Sequence, residues 1–146
     1  MPEILVATDA DWILGEVKAA LGAADTTIRW LRAGKEVVPA LKLEPADLVV
    51  LDLQIGNMGG MAVCMDIRLE AGADRLPEVG VLMLLDRAAD VFLAQRCDAD
   101  GWLIKPLDAF RLRRAADAIL RGERYEEGVP EESVPAPAPE PAPEVA

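Results

Sequence analysis

The chain has 146 residues, 52% of them apolar, and a formal net charge of −11. That is enough for one domain with its own core and too little for two of ordinary size. Histidine is absent, Ser occurs once (Ser133) and Thr only at Thr8, Thr26 and Thr27, which excludes a Ser-His-Asp or Cys-His nucleophile and any His metal ligand or phosphate carrier. No apolar run approaches the roughly 18 residues of a membrane span. The acidic N-terminus, "MPEILVATDADW", does not read as an export signal. Cys64 and Cys97 have no metal-site spacing and read as reduced thiols of a cytoplasmic protein.

Apolar runs and helical patterns alternate along the chain. "ILVA" (4–7) reads as a buried strand, "DWILGEVKAALG" (11–22) as a helix, and the β-branched "TTIRWL" (26–31) as a second strand. A helix disturbed by Pro39 is expected over 34–44, a third strand over 47–52 and a helix over 59–72. "VGVLMLLD" (79–86) reads as the fourth strand, followed by a short helix near 88–97, and "GWLI" (101–104) as the fifth. The last helix spans 108–122, with Asp108 as its N-cap and Gly122 as its stop. Five βα repeats imply a parallel sheet covered on both faces. No Rossmann glycine fingerprint or Walker A motif supports a nucleotide site.

The composition changes at Glu123. Residues 123–146 hold seven Glu, one Arg and six of the eleven prolines. They read as an extended, disordered acidic tail with polyproline II character, leaving 1–122 as the folded domain. Neither part carries the basic surplus of a nucleic-acid binder, so the four arginines of the last helix read as a solvated face.

Sites in this fold class gather beyond the carboxyl ends of the strands. Asp9 follows the first strand, Asp52 ends the third and Lys105 follows the fifth. In a parallel sheet these three converge. Two carboxylates there would repel; Mg²⁺ suits such oxygen donors, and the Lys ammonium balances the remaining charge. A carboxylate so placed can act as a nucleophile towards phosphorus. Asp11 and Asp86, each alone, read as helix-cap or turn residues.

In combination, "ILVATDAD", "PADLVVLDLQIGNMGGMAVCMDIR", "LPEVGVLMLLD" and "CDADGWLIKPLD" resemble the receiver domain of two-component response regulators, from about Glu3 to Arg121. The resemblance implies the flavodoxin-like, doubly wound sheet order 2-1-3-4-5 with five helices. It implies that Asp52 is the phosphoacceptor, serving a sensor histidine kinase or phosphotransfer protein. Asp9, Asp52 and the backbone carbonyl of Gln54 would hold Mg²⁺, and Lys105 would contact the phosphoryl group. Lys105-Pro106 would be a cis peptide, and Trp102 would stand at the aromatic switch position. The surface of helix four, strand five and helix five would meet an unknown protein target or form a homodimer. Phe110, Leu112 and Trp102 are the residues to check there for exposure. No direct nucleic-acid contact and no membrane insertion are expected.

Three positions depart from the family pattern. Thr8 replaces an acid, which would weaken Mg²⁺ affinity, since charge count tunes it. Leu85 replaces the Thr or Ser at the end of strand four, which removes a charge-assisted hydrogen bond to a phosphoryl oxygen. Gly56 and Gly59 replace a Pro and an acid, and a looser loop is expected. The leading expectation is a single-domain response regulator that signals through protein contacts. A pseudo-receiver without functional phosphorylation is the alternative, favoured by Thr8 and Leu85. A small Mg²⁺-dependent phosphatase is the weakest reading, because Thr8 sits where a second acid would serve.

Overall fold

The structure, a computed structural model, describes residues 2–128. Five parallel strands form one sheet: β1 (Glu3–Ala7), β2 (Thr27–Leu31), β3 (Leu48–Asp52), β4 (Gly80–Leu85) and β5 (Gly101–Ile104). Their spatial order is β2-β1-β3-β4-β5, the flavodoxin-like order. Helices α1 (Asp11–Leu21), α2 (Val37–Leu43), α3 (Gly60–Gly72), α4 (Val91–Arg96) and α5 (Ala109–Leu120) connect them. Short 3-10 turns lead into α2 (Gly34–Glu36) and α4 (Ala88–Asp90). Pro39 falls in the first turn of α2, where its missing N–H has no helical partner to lose.

Alternation along each strand builds two cores. Leu5, Val49, Leu51, Val81, Met83, Leu85 and Trp102 face one layer; Val6, Val50, Leu82, Leu84 and Leu103 face the other. The second layer is closed by α5, whose Leu112, Ala115, Ala116 and Ile119 recur at helical spacing. All residues of β3 are buried, so Asp52 enters the interior as the last residue of the central strand. Cys64 and Cys97 meet inside the first layer as free thiols, with Cys64 Sγ donating to the Cys97 carbonyl at 3.2 Å.

Two expectations are corrected. The acidic tail does not leave the fold at Glu123: residues 123–128 run along β5, and Tyr125 makes a parallel bridge with Gly101. Backbone bonding to an open strand edge outweighs the polar composition of this stretch. Residues 129–146, the rest of the expected tail, lie outside the described residues. The glycine-rich loop after β3 is not loose. Gly34 N–H donates to Gly56 O (2.9 Å), Lys35 N–H to Asn57 O (2.8 Å) and Gly60 N–H to Leu53 O (3.1 Å). Asn57 and Met58 both adopt left-handed backbone angles (φ 52° and 81°) within that tethered loop.

Candidate functional site at the carboxyl edge of the sheet

The β1–β3 register pairs Ala7 with Leu51, which sets Thr8 beside Asp52. Thr8 Oγ1 donates to Asp52 Oδ2 at 2.8 Å and itself accepts from Ala10 N–H at 3.1 Å. Lys105, just past β5, reaches across the sheet edge and donates to Asp52 Oδ1 at 2.9 Å. Gln54 N–H adds a bond to Oδ1 at 3.1 Å. The buried carboxylate therefore has a donor on each oxygen and a cation in contact, which meets the requirement for burying a charge.

Asp9 is exposed at the rim, and its Oδ2 accepts from Gly56 N–H at 3.2 Å. Alanine at 56 would set its Cβ 3.3 Å from that oxygen, so the loop backbone approaches closely. The Lys105-Pro106 peptide is cis. Leu85 and Trp102 are fully buried on the same face of the sheet; Leu85 fills with apolar volume the place where the family pattern has a hydroxyl. Leu112 is buried as well, while Phe110 is exposed.

Asp86 lies in the bend after β4 and also borders the site. Its Oδ1 lies 2.9 Å from Lys105 Nζ, so the ammonium bridges Asp52 and Asp86. Burial works against the Lys105 charge, but the two carboxylates more than offset it and hold its pKa above the usual value. Burial raises the Asp86 carboxyl, and Lys105 and the Gln54 side chain outweigh this and hold it below the usual range. The signal available in the sequence was its place at the end of β4, one strand from Asp52. Thr8, in the sequence a missing acid, is a donor to Asp52. Asp11 opens α1 and pairs with Arg32 at 3.3 Å, without capping the helix through its side chain.

The oxygen donors suit a small hard cation that keeps most of its waters: Asp9, Asp52 and the Gln54 carbonyl would hold it. Among the described residues no group of three or more His, Cys, Asp or Glu converges as a metal site, so a carbonyl and water would have to complete the cation's coordination. No helix among the described residues is long and apolar enough to cross a membrane.

The family model for the response regulator receiver domain matches residues 4–117. Among curated proteins, the transcriptional regulatory protein AfsQ1 of Streptomyces coelicolor is 29% identical over 85% of this chain and 54% of its own length. The DNA-binding regulator RpaA of Synechocystis is 32% identical over 83% of this chain and 50% of its own. The chain thus spans about half the length of the curated relatives it matches. Among solved structures, the signal receiver domain of a histidine kinase from Syntrophus aciditrophicus superposes with a TM-score of 0.72 at 27% identity, covering 84% of this chain and 92% of that one. The chemotaxis response regulator CheY4 of Vibrio cholerae shares the fold, with a TM-score of 0.71 at 20% identity over 80% of this chain and 97% of its own. With its sheet order, its buried carboxylate on the central strand and the family match over most of its length, the chain belongs to the response regulator receiver domain family.

Proposed function

We propose that this domain accepts a phosphoryl group on Asp52 from a sensor histidine kinase or phosphotransfer protein and passes the signal on through protein contacts in the cytoplasm. The observation that carries this reading is the 2.9 Å contact of Lys105 Nζ with Asp52 Oδ1 at the open carboxyl edge of the sheet. A carboxylate oxygen of Asp52 would attack phosphorus, forming the O–P bond as the P–N bond of the phosphohistidine breaks and the electron pair leaves with the imidazole. Lys105 would neutralise charge on the phosphoryl oxygens, and the Gln54 N–H would hold the carboxylate plane. Mg²⁺ held by Asp9, Asp52 and the Gln54 carbonyl would supply further charge neutralisation. Thr8 leaves that ion one carboxylate fewer than the family pattern gives, which favours weaker binding.

A second reading is favoured by one specific feature. The buried Thr8–Asp52 hydrogen bond satisfies an oxygen of the carboxylate without metal or phosphate, as a pseudo-receiver kept for protein contacts would require. Incubation with Mg²⁺ and acetyl phosphate separates the two. One added phosphoryl mass, lost in Asp52→Asn, is expected for the first reading. No adduct from acetyl phosphate or from any kinase partner would leave the second.

A further inference from the structure

Beyond α5 the chain turns at Gly122 (φ +86°) and returns along the outer edge of β5. A strand edge presents unpaired backbone groups to any extended chain that reaches it. Here the edge is taken. Tyr125 N–H donates to Asp100 O at 3.2 Å, and Trp102 N–H donates to Tyr125 O at 2.9 Å. The Trp102 indole N–H donates to Glu127 O at 2.7 Å. Ile104 N–H, where the next rung of a ladder would fall, is received at 2.9 Å by the Glu127 side chain, Oε1.

The Glu127 carboxylate is fixed in turn by Arg111 of α5. Arg111 Nε donates to Oε2 at 2.9 Å and Nη2 to Oε1. The same guanidinium donates to Ile104 O at 2.8 Å and to Pro106 O at 2.9 Å. Arg111 thus joins the carboxylate to the backbone at the end of β5. Gly128 closes the contact: it is left-handed (φ +75°), and a Cβ there would sit 2.4 Å from Ile104 Cδ1. Residues 124–128 lie beyond the family match, which ends at 117.

We infer that the outer edge of β5, with the Arg111 guanidinium at its end, is a docking site for an extended acidic segment running parallel to the strand, and that residues 124–128 of this chain are its resident occupant. Main-chain bonds supply the affinity and one glutamate in register with Arg111 supplies the selection. A partner segment of the same chemistry adds to the sheet only by displacing the resident one. The site requires no phosphate on Asp52.

The test uses the full chain and amide exchange followed by NMR. In the wild type, the backbone amides of Trp102 and Ile104 and the Trp102 indole N–H are expected to be protected. Glu127→Gln keeps the shape and removes the charge, and should speed exchange at Ile104 roughly tenfold or more. Gly128→Val should have the same effect by steric expulsion, with no change of charge. Unchanged protection of Val49 and Val50 in β3 reports that both variants remain folded. A synthetic peptide of residues 123–128 at millimolar concentration should shift the Trp102 and Ile104 resonances of the Glu127→Gln chain more than those of the wild type. Free-rate exchange at the wild-type Trp102 indole, unchanged Ile104 protection in both variants, or equal peptide response in the two chains overturns the inference.

Discussion

Thr8 Oγ1 donates to Asp52 Oδ2 at 2.8 Å, with both residues buried. A neutral hydroxyl stands where a second acid would repel the carboxylate. The domain therefore folds around a single buried negative charge on β3, compensated by Thr8, Gln54 N–H and Lys105.

Thr8→Val should leave Asp52 Oδ2 short of its donor and cost about 1–2 kcal/mol, read as a lower urea midpoint. Thr8→Asp should be less stable than wild type in EDTA, because two carboxylates then face each other. Mg²⁺ should restore it, and the rise in Tm on adding Mg²⁺ should exceed that of the wild type.

Lys105→Met removes the cation from a carboxylate that is almost fully enclosed. The loss should be about 3 kcal/mol, and Asp52→Asn in the same chain should recover much of it, measured by a double-mutant cycle. Asp86 is more exposed than Asp52, so Asp86→Asn should cost less than about 1 kcal/mol.

Gly34→Ala probes the tethering of the loop after β3. Its Cβ would fall 1.9 Å from Met58 O and 2.9 Å from Asn57 O, both backbone atoms that must move. A loss of about 2–3 kcal/mol is expected, with faster exchange of the Lys35 amide that bonds Asn57.

Leu85→Thr would place a hydroxyl where the sequence lacks one. Leu85 is fully buried in an apolar layer with Trp102, so the substitution removes packing and buries a polar group. About 2–3 kcal/mol of stability should be lost. A stable Leu85→Thr chain would show that this end of β4 has a polar partner in reach.

The contact between Glu127 and β5 should depend on pH. Burial raises the Glu127 carboxyl, but Arg111 and the Ile104 N–H outweigh this and hold its pKa below the usual glutamate value. Asp108, at the N-terminus of α5, opposes that effect. A carboxyl depressed in the folded state contributes stability above its unfolded pKa and loses it as the pH falls through the folded value. Ile104 protection should therefore hold at neutral pH and fade below the ordinary glutamate range, while β3 remains protected.

The strand and helix order was legible in the sequence, because a parallel βα sheet writes itself as short continuous apolar runs between helical repeats. Asp108 as the α5 cap was legible too: its side chain accepts from Arg111 N–H at 2.9 Å. So was the meeting of Asp52 with Lys105, since strand ends converge once the strands are parallel. What escaped were roles fixed by a neighbour on another element. Asp86 looks like any turn aspartate until Lys105 lies 2.9 Å away. Of the arginines read as a solvated face, Arg113, Arg114 and Arg121 are exposed, but Arg111 is partly buried and pairs with Glu127.

Local chemistry thus determined the elements, their order and the carboxylate at the centre of the sheet, because hydrophobic periodicity and capping act over a few residues. The tertiary structure alone decided that Thr8 is a donor to Asp52, that Lys105 is shared with Asp86, and that an acidic stretch resembling a tail returns to cover β5. Each of these depends on an electrostatic or backbone partner far away in sequence. A side chain's composition does not say which partner will reach it; the register of the sheet does.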